Sequence, residues 1–308
     1  MATLLIHHPV FARHLVPFGH PERPERIRIV EATLAEPRFD ALVRREARMT
    51  DAETVELCHP ARYLDALRHA SPSEGLVRID SDTVMSPKTL EAALTAVGGA
   101  CDAVDAVLAG DVANAFCAMR PPGHHAEPEQ AMGFCFFNQA AIAARHAQRR
   151  HGIGRVAIVD FDVHHGNGTQ AIFWDDPTVL YASTHQMPLY PGTGAAGETG
   201  AGNIVNAPLP PGADGEDFRA ALDTRILPAL DAFAPELIIV SAGFDAHEHD
   251  PLGGLAFTED DFAVATALLM ERAARHAGGR LVSVLEGGYD LKALAASVAA
   301  HVEVLMTA

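Results

Sequence analysis

The chain has 308 residues and a formal charge of -17, long enough to bury a large α/β core without disulfide or metal staples. The negative balance argues against nucleic-acid phosphates or anionic membranes as partners and favours a cationic substrate such as a basic peptide or a polyamine. Its four cysteines (Cys58, Cys101, Cys117 and Cys135) show no Cys-x-x-Cys spacing, which argues against a disulfide framework or a thiolate zinc cage and fits a reducing, cytoplasmic setting.

The first strand-like run is Ala2 to Ile6, too short for a signal-peptide core and without a basic leader. No apolar stretch is expected to reach the roughly 20 residues that span a bilayer, so the expectation is a soluble protein. Pro87 to Leu108 is alanine-rich with apolar residues at helical spacing, and it precedes a strand-like run from Ala113 to Met119. Val156 to Phe161 and Val179 to Thr184 are further candidate strands. The Gly- and Pro-rich stretch from Pro188 to Gly215 is expected to be a long functional loop between core strands. A helix is predicted over Asp217 to Phe233, a strand over Leu237 to Ala242, and a helix from Thr258 with Glu259, Asp260 and Asp261 in its first turn. The last candidate strand is Leu281 to Leu285. This alternation, with no repeat or low-complexity linker, predicts one domain over residues 1–308: an open, mainly parallel sheet with helices on both faces.

Chemistry-bearing residues follow the candidate strands. After Val156 to Phe161 come Asp162 and His164, and after Leu237 to Ala242 comes Asp245. Open α/β sheets bind ligands along the carboxyl edge, so residues distant in sequence converge there. Two Asp and one His make a three-ligand site with a free coordination position, the layout of a catalytic zinc site. A polar loop after a strand is the plain alternative. Adjacent histidines are weak evidence by themselves, because 17 histidines in this length give about one adjacent pair by chance.

Arg120-Pro121-Pro122-Gly123-His124-His125-Ala126 follows the strand ending near Met119. The prolines stiffen this loop, which suits two imidazoles that must keep their aim. Histidine titrates nearest neutrality, so such a pair beside a metal could take up and return a proton; a satisfied loop pair is the alternative. After Leu281 to Leu285, Glu286-Gly287-Gly288-Tyr289-Asp290 turns a tyrosine hydroxyl over the same edge, where it could donate to a developing oxyanion.

Taken in order, RPPGHHA, GFCFFN (Gly133 to Asn138), DFDVHHGNGT (Asp160 to Thr169), YPGTG (Tyr190 to Gly194), GFDAHEHDPLGG (Gly243 to Gly254) and EGGYD resemble the histone deacetylase and acetylpolyamine amidohydrolase superfamily, nearest its class II and bacterial branch. The resemblance runs from His20 to Tyr289 and implies an arginase-like α/β fold. It implies that Asp162, His164 and Asp245 hold Zn2+. His125 would be the general base and acid, and His124, oriented by Asp160, would be mainly electrostatic. Tyr289 would polarise the carbonyl. Gly133, Phe134 and Tyr190 would belong to a narrow tunnel, Arg26 would line a cavity behind the metal, and Asp82 would receive the substrate backbone. A structural K+ would involve Asp160, Asp162, His164, Ser183 and Thr184. Asn167 stands where some members carry an aspartate partner for the second histidine; it can orient His125 but lacks the charge that favours imidazolium. Leu252 occupies the position where polyamine-selective members carry an acidic gatekeeper.

The resulting expectation is zinc-dependent hydrolysis of an acylated amine, foremost N-acetyl-lysine in a peptide or protein. Acetylpolyamine hydrolysis is the alternative within enzymes, and an acyl-lysine-binding module is the alternative outside them. A ureohydrolase of related fold would need a two-manganese carboxylate cluster. The sequence does not give the oligomeric state.

Overall fold

The structure, a computed structural model, describes residues 2–308. Eight strands form one sheet: β1 (Thr3–His7), β2 (Val43–Glu46), β5 (Asn114–Cys117), β6 (Val156–Asp160), β7 (Val179–Gln186), β8 (Ile204–Leu209), β9 (Leu237–Ala242) and β10 (Leu281–Leu285). Their order is β2-β1-β5-β10-β9-β6-β7-β8, with every neighbouring pair parallel. A separate antiparallel pair, β3 (Val77–Arg78) and β4 (Val84–Met85), brackets Asp82.

The central strands β5, β10, β9 and β6 read as continuous apolar runs because both faces are covered by helices and every residue is buried. The helices are α1 (Glu25–Leu34), α2 (Ala52–Val55), α3 (Ala61–Ala70), α4 (Thr89–Ala109), α5 (Gln139–His151), α6 (Asn167–Ile172), α7 (Gly215–Ala221), α8 (Leu227–Phe233), α9 (Glu259–His276) and α10 (Leu291–Leu305).

Three sequence expectations need correction. The stretch from Pro188 to Gly215 is not all loop: it contains β8, an edge strand whose Pro208 pairs with His185 of β7. Proline is tolerated at such an edge, and its presence hides the strand in the sequence. The helix expected over Asp217 to Phe233 starts at Gly215 and is interrupted by a π-helical turn, Leu222–Ile226, before Pro228 enters α8. Proline has no N–H to offer the preceding turn, and the wider turn accommodates that loss. Finally, α4 is 21 residues long and apolar enough to cross a membrane by length and composition, although 78% of its most apolar window is buried inside the fold.

One core histidine couples this packing to pH. His301 of α10 is wholly buried beside Phe116, Phe161 and Phe244, with Nδ1 2.6 Å from the Thr266 hydroxyl and Nε2 2.8 Å from that of Ser283. Burial pushes its pKa down from 6.5 to about 3. The unfolded chain therefore binds the proton first, so His301 contributes its full stability above pH 6.5 and loses it as pH falls toward 3. At about 1.4 kcal/mol per pH unit, the loss by pH 5 is roughly 2 kcal/mol. Urea unfolding at pH 7 and pH 5 should show His301→Gln losing about 2 kcal/mol less than wild type over that interval. Equal losses in both proteins would disprove the assignment.

Candidate active site

The chain leaves the centre of the sheet for β7 and β8 and returns to place β9 and β10 between β5 and β6. The loops after β5, β10, β9 and β6 consequently stand side by side at one carboxyl edge, where strand order reverses and open sheets bind ligands. The four sequence motifs that follow these strands meet there.

Asp162, His164 and Asp245 are brought together, all buried, with one ligand atom from each lying within 4.8 Å of the others. His164 Nδ1 lies 3.1 Å from Asp162 Oδ1 and 3.1 Å from Asp245 Oδ2. The remaining carboxylate oxygens are fixed by the backbone: Asp162 Oδ2 accepts from the Gly287 N–H at 2.9 Å and Asp245 Oδ1 from the Val163 N–H at 2.8 Å. Gly287 has no side chain at a point where a Cβ would collide with oxygens of both carboxylates.

These groups fit a divalent cation. Two carboxylates are buried around one imidazole nitrogen, a donor set of net negative charge. Burial, and then the charge of Asp162, pushes the Asp245 carboxyl up to about 7. Burial alone would lower His164, but hydrogen bonds to Asp162 and Asp245 prevail and hold it up at about 10. In the metal-free protein a proton thus sits where a cation would.

The histidine pair stands beside this cluster, its ring centroids 4.0 Å apart. His124 Nδ1 is 3.0 Å from Asp160 Oδ2. Burial would lower its pKa, but Asp162, Asp160 and Glu286 outweigh that and raise it well above the usual value, so His124 is held cationic. His125 goes the opposite way: burial, then the charges of His124 and His164, lower it well below the usual value. Its Nδ1 lies 2.8 Å from Asn167 Oδ1, and the Asn167 amide nitrogen donates to Glu127 at 2.8 Å. Asn167 thus accepts from the His125 Nδ1–H, which leaves Nε2 with a free lone pair.

A cavity of about 270 Å³ leads to these groups and is lined by Asp82, His125, Gly133, Phe134, His164, Leu189, Tyr190, Leu252 and Tyr289. Gly133 has φ +56°, and a Cβ there would run into the His125 ring. Phe134 also takes a left-handed backbone, at φ 68°, held by a bond from its N–H to the Thr83 hydroxyl at 3.1 Å. Such a conformation is costly for a bulky residue and is found where surrounding contacts fix it at functional sites. Here it sets the Phe134 ring edge-on to Tyr289, with centroids 5.9 Å apart. Tyr289 lines the cavity, and its hydroxyl makes no hydrogen bond among the described residues.

Arg26 lies apart from the cavity lining. It is fully buried, donates to Glu22 and to the carbonyls of Glu286 and Gly288, and sits 4.9 Å from the Tyr289 ring centroid. Ser183 pairs with His185 at 2.9 Å, while the buried Thr184 hydroxyl has no partner among the described residues.

Several supports were not picked out from the sequence. Glu286 accepts from the N–H groups of Gly123 and His124 and from the Ser241 hydroxyl, fixing the histidine loop to β9 and β10. Asp250 takes the Tyr289 N–H at 2.7 Å on one oxygen and the Leu252 N–H at 2.9 Å on the other. Tyr181 donates to Asp160 at 3.0 Å and accepts from Gly166. Glu22 grips the Arg120 guanidinium where the histidine loop begins. Asp250 and Glu286 lie inside motifs already conspicuous in the sequence, which is the signal that could have found them.

A parallel sheet of this order with helices on both faces is the arginase-like α/β fold. The chain matches the histone deacetylase domain over residues 20–305 and belongs to the histone deacetylase family. It is 44% identical over 278 residues to a histone deacetylase-like amidohydrolase of Pseudomonas aeruginosa, covering 88% of this chain and 73% of that protein. It is also 40% identical over 299 residues to a probable deacetylase of Archaeoglobus fulgidus, covering 95% and 82% respectively. Among solved structures, that of the HDA15 HD domain superposes with a TM-score of 0.95 at 37% identity, over 99% of this chain and 88% of that one.

Proposed function

We propose that this deacetylase is zinc-dependent and removes the acetyl group from N-acetyl-lysine in a peptide or protein. The observation that carries the reading is an aromatic-walled cavity that reaches His125 and His164, the latter joined to Asp162 and Asp245 in a buried set of metal donors. Asp162, His164 and Asp245 would hold the ion, which supplies Lewis acidity toward a carbonyl oxygen and lowers the pKa of water.

The chain's own residues do the rest. His125, neutral and with Nε2 free, takes the proton of the attacking water, and later returns a proton to the amine as the C–N bond breaks. Tyr289, whose pKa is raised by burial and then by Asp245, remains protonated and donates to the oxygen as it becomes anionic. His124, kept cationic against Asp160, favours that negative charge electrostatically. Phe134 and Tyr190 flank an aliphatic stem and exclude water, and Asp82 at the cavity wall offers an acceptor to a substrate backbone amide.

The intact donor set and tyrosine disfavour a binding module without catalysis. A K+ beside Asp160, Asp162, His164, Ser183 and Thr184 is also proposed, supported by the unpartnered Thr184 hydroxyl. A reducing, cytoplasmic location is supported by four unpaired cysteines, three of them buried. The charge of -17 supports a partner that is neither nucleic acid nor an anionic membrane.

Turnover of acetyl-lysine peptides against N-acetylated polyamines, with zinc counted per chain, tests the reading. Wild type should prefer the peptides. Leu252, at the cavity wall, cannot pair with a distal ammonium, whereas a carboxylate there can. Leu252→Glu should raise the polyamine-to-peptide ratio roughly fivefold, about the 1 kcal/mol of a partly exposed ion pair. A wild-type preference for polyamines would overturn the substrate assignment.

A further inference from the structure

Away from the deacetylase site, two histidines from the end of one helix and an aspartate from another aim at a single point. Asp105 belongs to α4; His146 and His151 belong to the last two turns of α5. Both imidazoles present Nε2 to the same oxygen, Asp105 Oδ1, each at 2.7 Å, and one ligand atom from each residue lies within 4.8 Å of the others. The side chains are 29%, 14% and 25% exposed, so the point is anchored in the surface and open to water. Beside it is a hollow of about 270 Å³ whose wall includes Asp105, His146, Asp102 and Cys101.

We propose that Asp105, His146 and His151 form a second metal site, for a first-row divalent transition ion such as Zn2+, Ni2+ or Cu2+. Two imidazole nitrogens and one carboxylate oxygen select these ions over Mg2+ and Ca2+, which prefer all-oxygen surroundings. Three protein ligands leave the remaining positions to water from the hollow. The flanking cations do not close the point. Arg48 is committed to Asp102, and Arg150, with Nε 3.8 Å from Asp105 Oδ1, has a side chain 68% exposed and free to turn outward. Binding moves each ring proton to Nδ1, freeing Nε2 for the metal. The ion would staple the end of α5 to α4. The opposite end of α5 is capped by Asn138, which also donates to Thr169 and to the His124 carbonyl.

The site is independent of the catalytic reading, so the test counts the difference between two proteins. Purified holoenzyme and its His151→Ala variant are dialysed against Zn2+ and their bound zinc is measured, with deacetylation assayed in parallel. Wild type should bind one more zinc than the variant. The affinity of that extra site should fall by more than the roughly 10- to 100-fold expected for losing a group behind a ligand, and deacetylation should be unchanged. Cu2+ loaded at this site should show coupling to two imidazole nitrogens in its electron spin resonance spectrum, and to one in His151→Gln. His151 ends its helix and is part-exposed, and circular dichroism verifies that both variants fold. Equal zinc counts in wild type and His151→Ala, or a Cu2+ spectrum unchanged by His151→Gln, would mean that the three side chains form a hydrogen-bonded cluster only.

Discussion

Asp245→Asn will remove nearly all deacetylation and most of the bound zinc from the catalytic site. The substitution keeps the shape of the side chain and can still accept the Val163 N–H, but it takes one of two negative charges from the donor set. Lewis-acid stabilisation is worth several kcal/mol, and at 1.36 kcal/mol per tenfold its loss lowers turnover by about 10³-fold or more. A stability measurement separates this from general damage. In the metal-free wild type the folded-state pKa of Asp245, about 7, lies above the ordinary carboxylate value of 3.8. The folded protein therefore binds the proton more tightly than the unfolded chain, so the burden is absent below pH 4 and complete above pH 7. Metal-free Asp245→Asn should melt higher than metal-free wild type at pH 8, and the two should converge near pH 4. Zinc should raise the melting temperature of wild type far more than that of the variant. Wild-type activity in the variant, or equal zinc content, would exclude Asp245 from the metal site.

The central strands were legible because a parallel strand covered on both faces must be apolar throughout, and each such run ended in a short polar motif. That is why the sequence alone puts Asp162, His164, Asp245, His124, His125 and Tyr289 on one edge. The edge strands were not legible for the same physical reason turned around. β2 is Val-Arg-Arg-Glu, exposed at every position, with charges that discourage edge-to-edge pairing, and β8 carries a proline. The supports of the site were hidden because hydrogen bonds across the fold have no sequence spacing. Glu286 reaches Gly123 across 163 residues, and Asp250 reaches Tyr289 across 39. Arg26 stands beside the chemistry through a contact that no motif spells out: it donates to Glu22 and to two backbone carbonyls, and its guanidinium lies over the ring of Tyr289. The Asp105 cluster was invisible because its histidines are five residues apart on α5, a spacing that signals nothing until α4 brings the carboxylate.

Tyr289→Phe will lower kcat by roughly 10²- to 10³-fold, about 3 to 4 kcal/mol, the cost of one oxyanion donor. Phenylalanine should hold the same place, since the ring is set by contacts that do not involve the hydroxyl: Phe134 edge-on at 5.9 Å, the Arg26 guanidinium at 4.9 Å, and the Asp250 carboxylate on the backbone N–H. Only the donor is lost. It matters most when the carbonyl oxygen acquires charge, so kcat and kcat/KM should fall together while KM changes little; loss of uniform substrate binding would instead raise KM and spare kcat. The pH profile discriminates further. With the tyrosine pKa pushed well above 10 by burial and by Asp245, the hydroxyl stays protonated across the working range, so the variant should keep the wild-type profile at a lower height. Steady-state kinetics from pH 6 to 9, with zinc measured on the same preparations, decides the matter. A kcat within about threefold of wild type at equal zinc content, where chemistry limits turnover, would remove Tyr289 from the reaction.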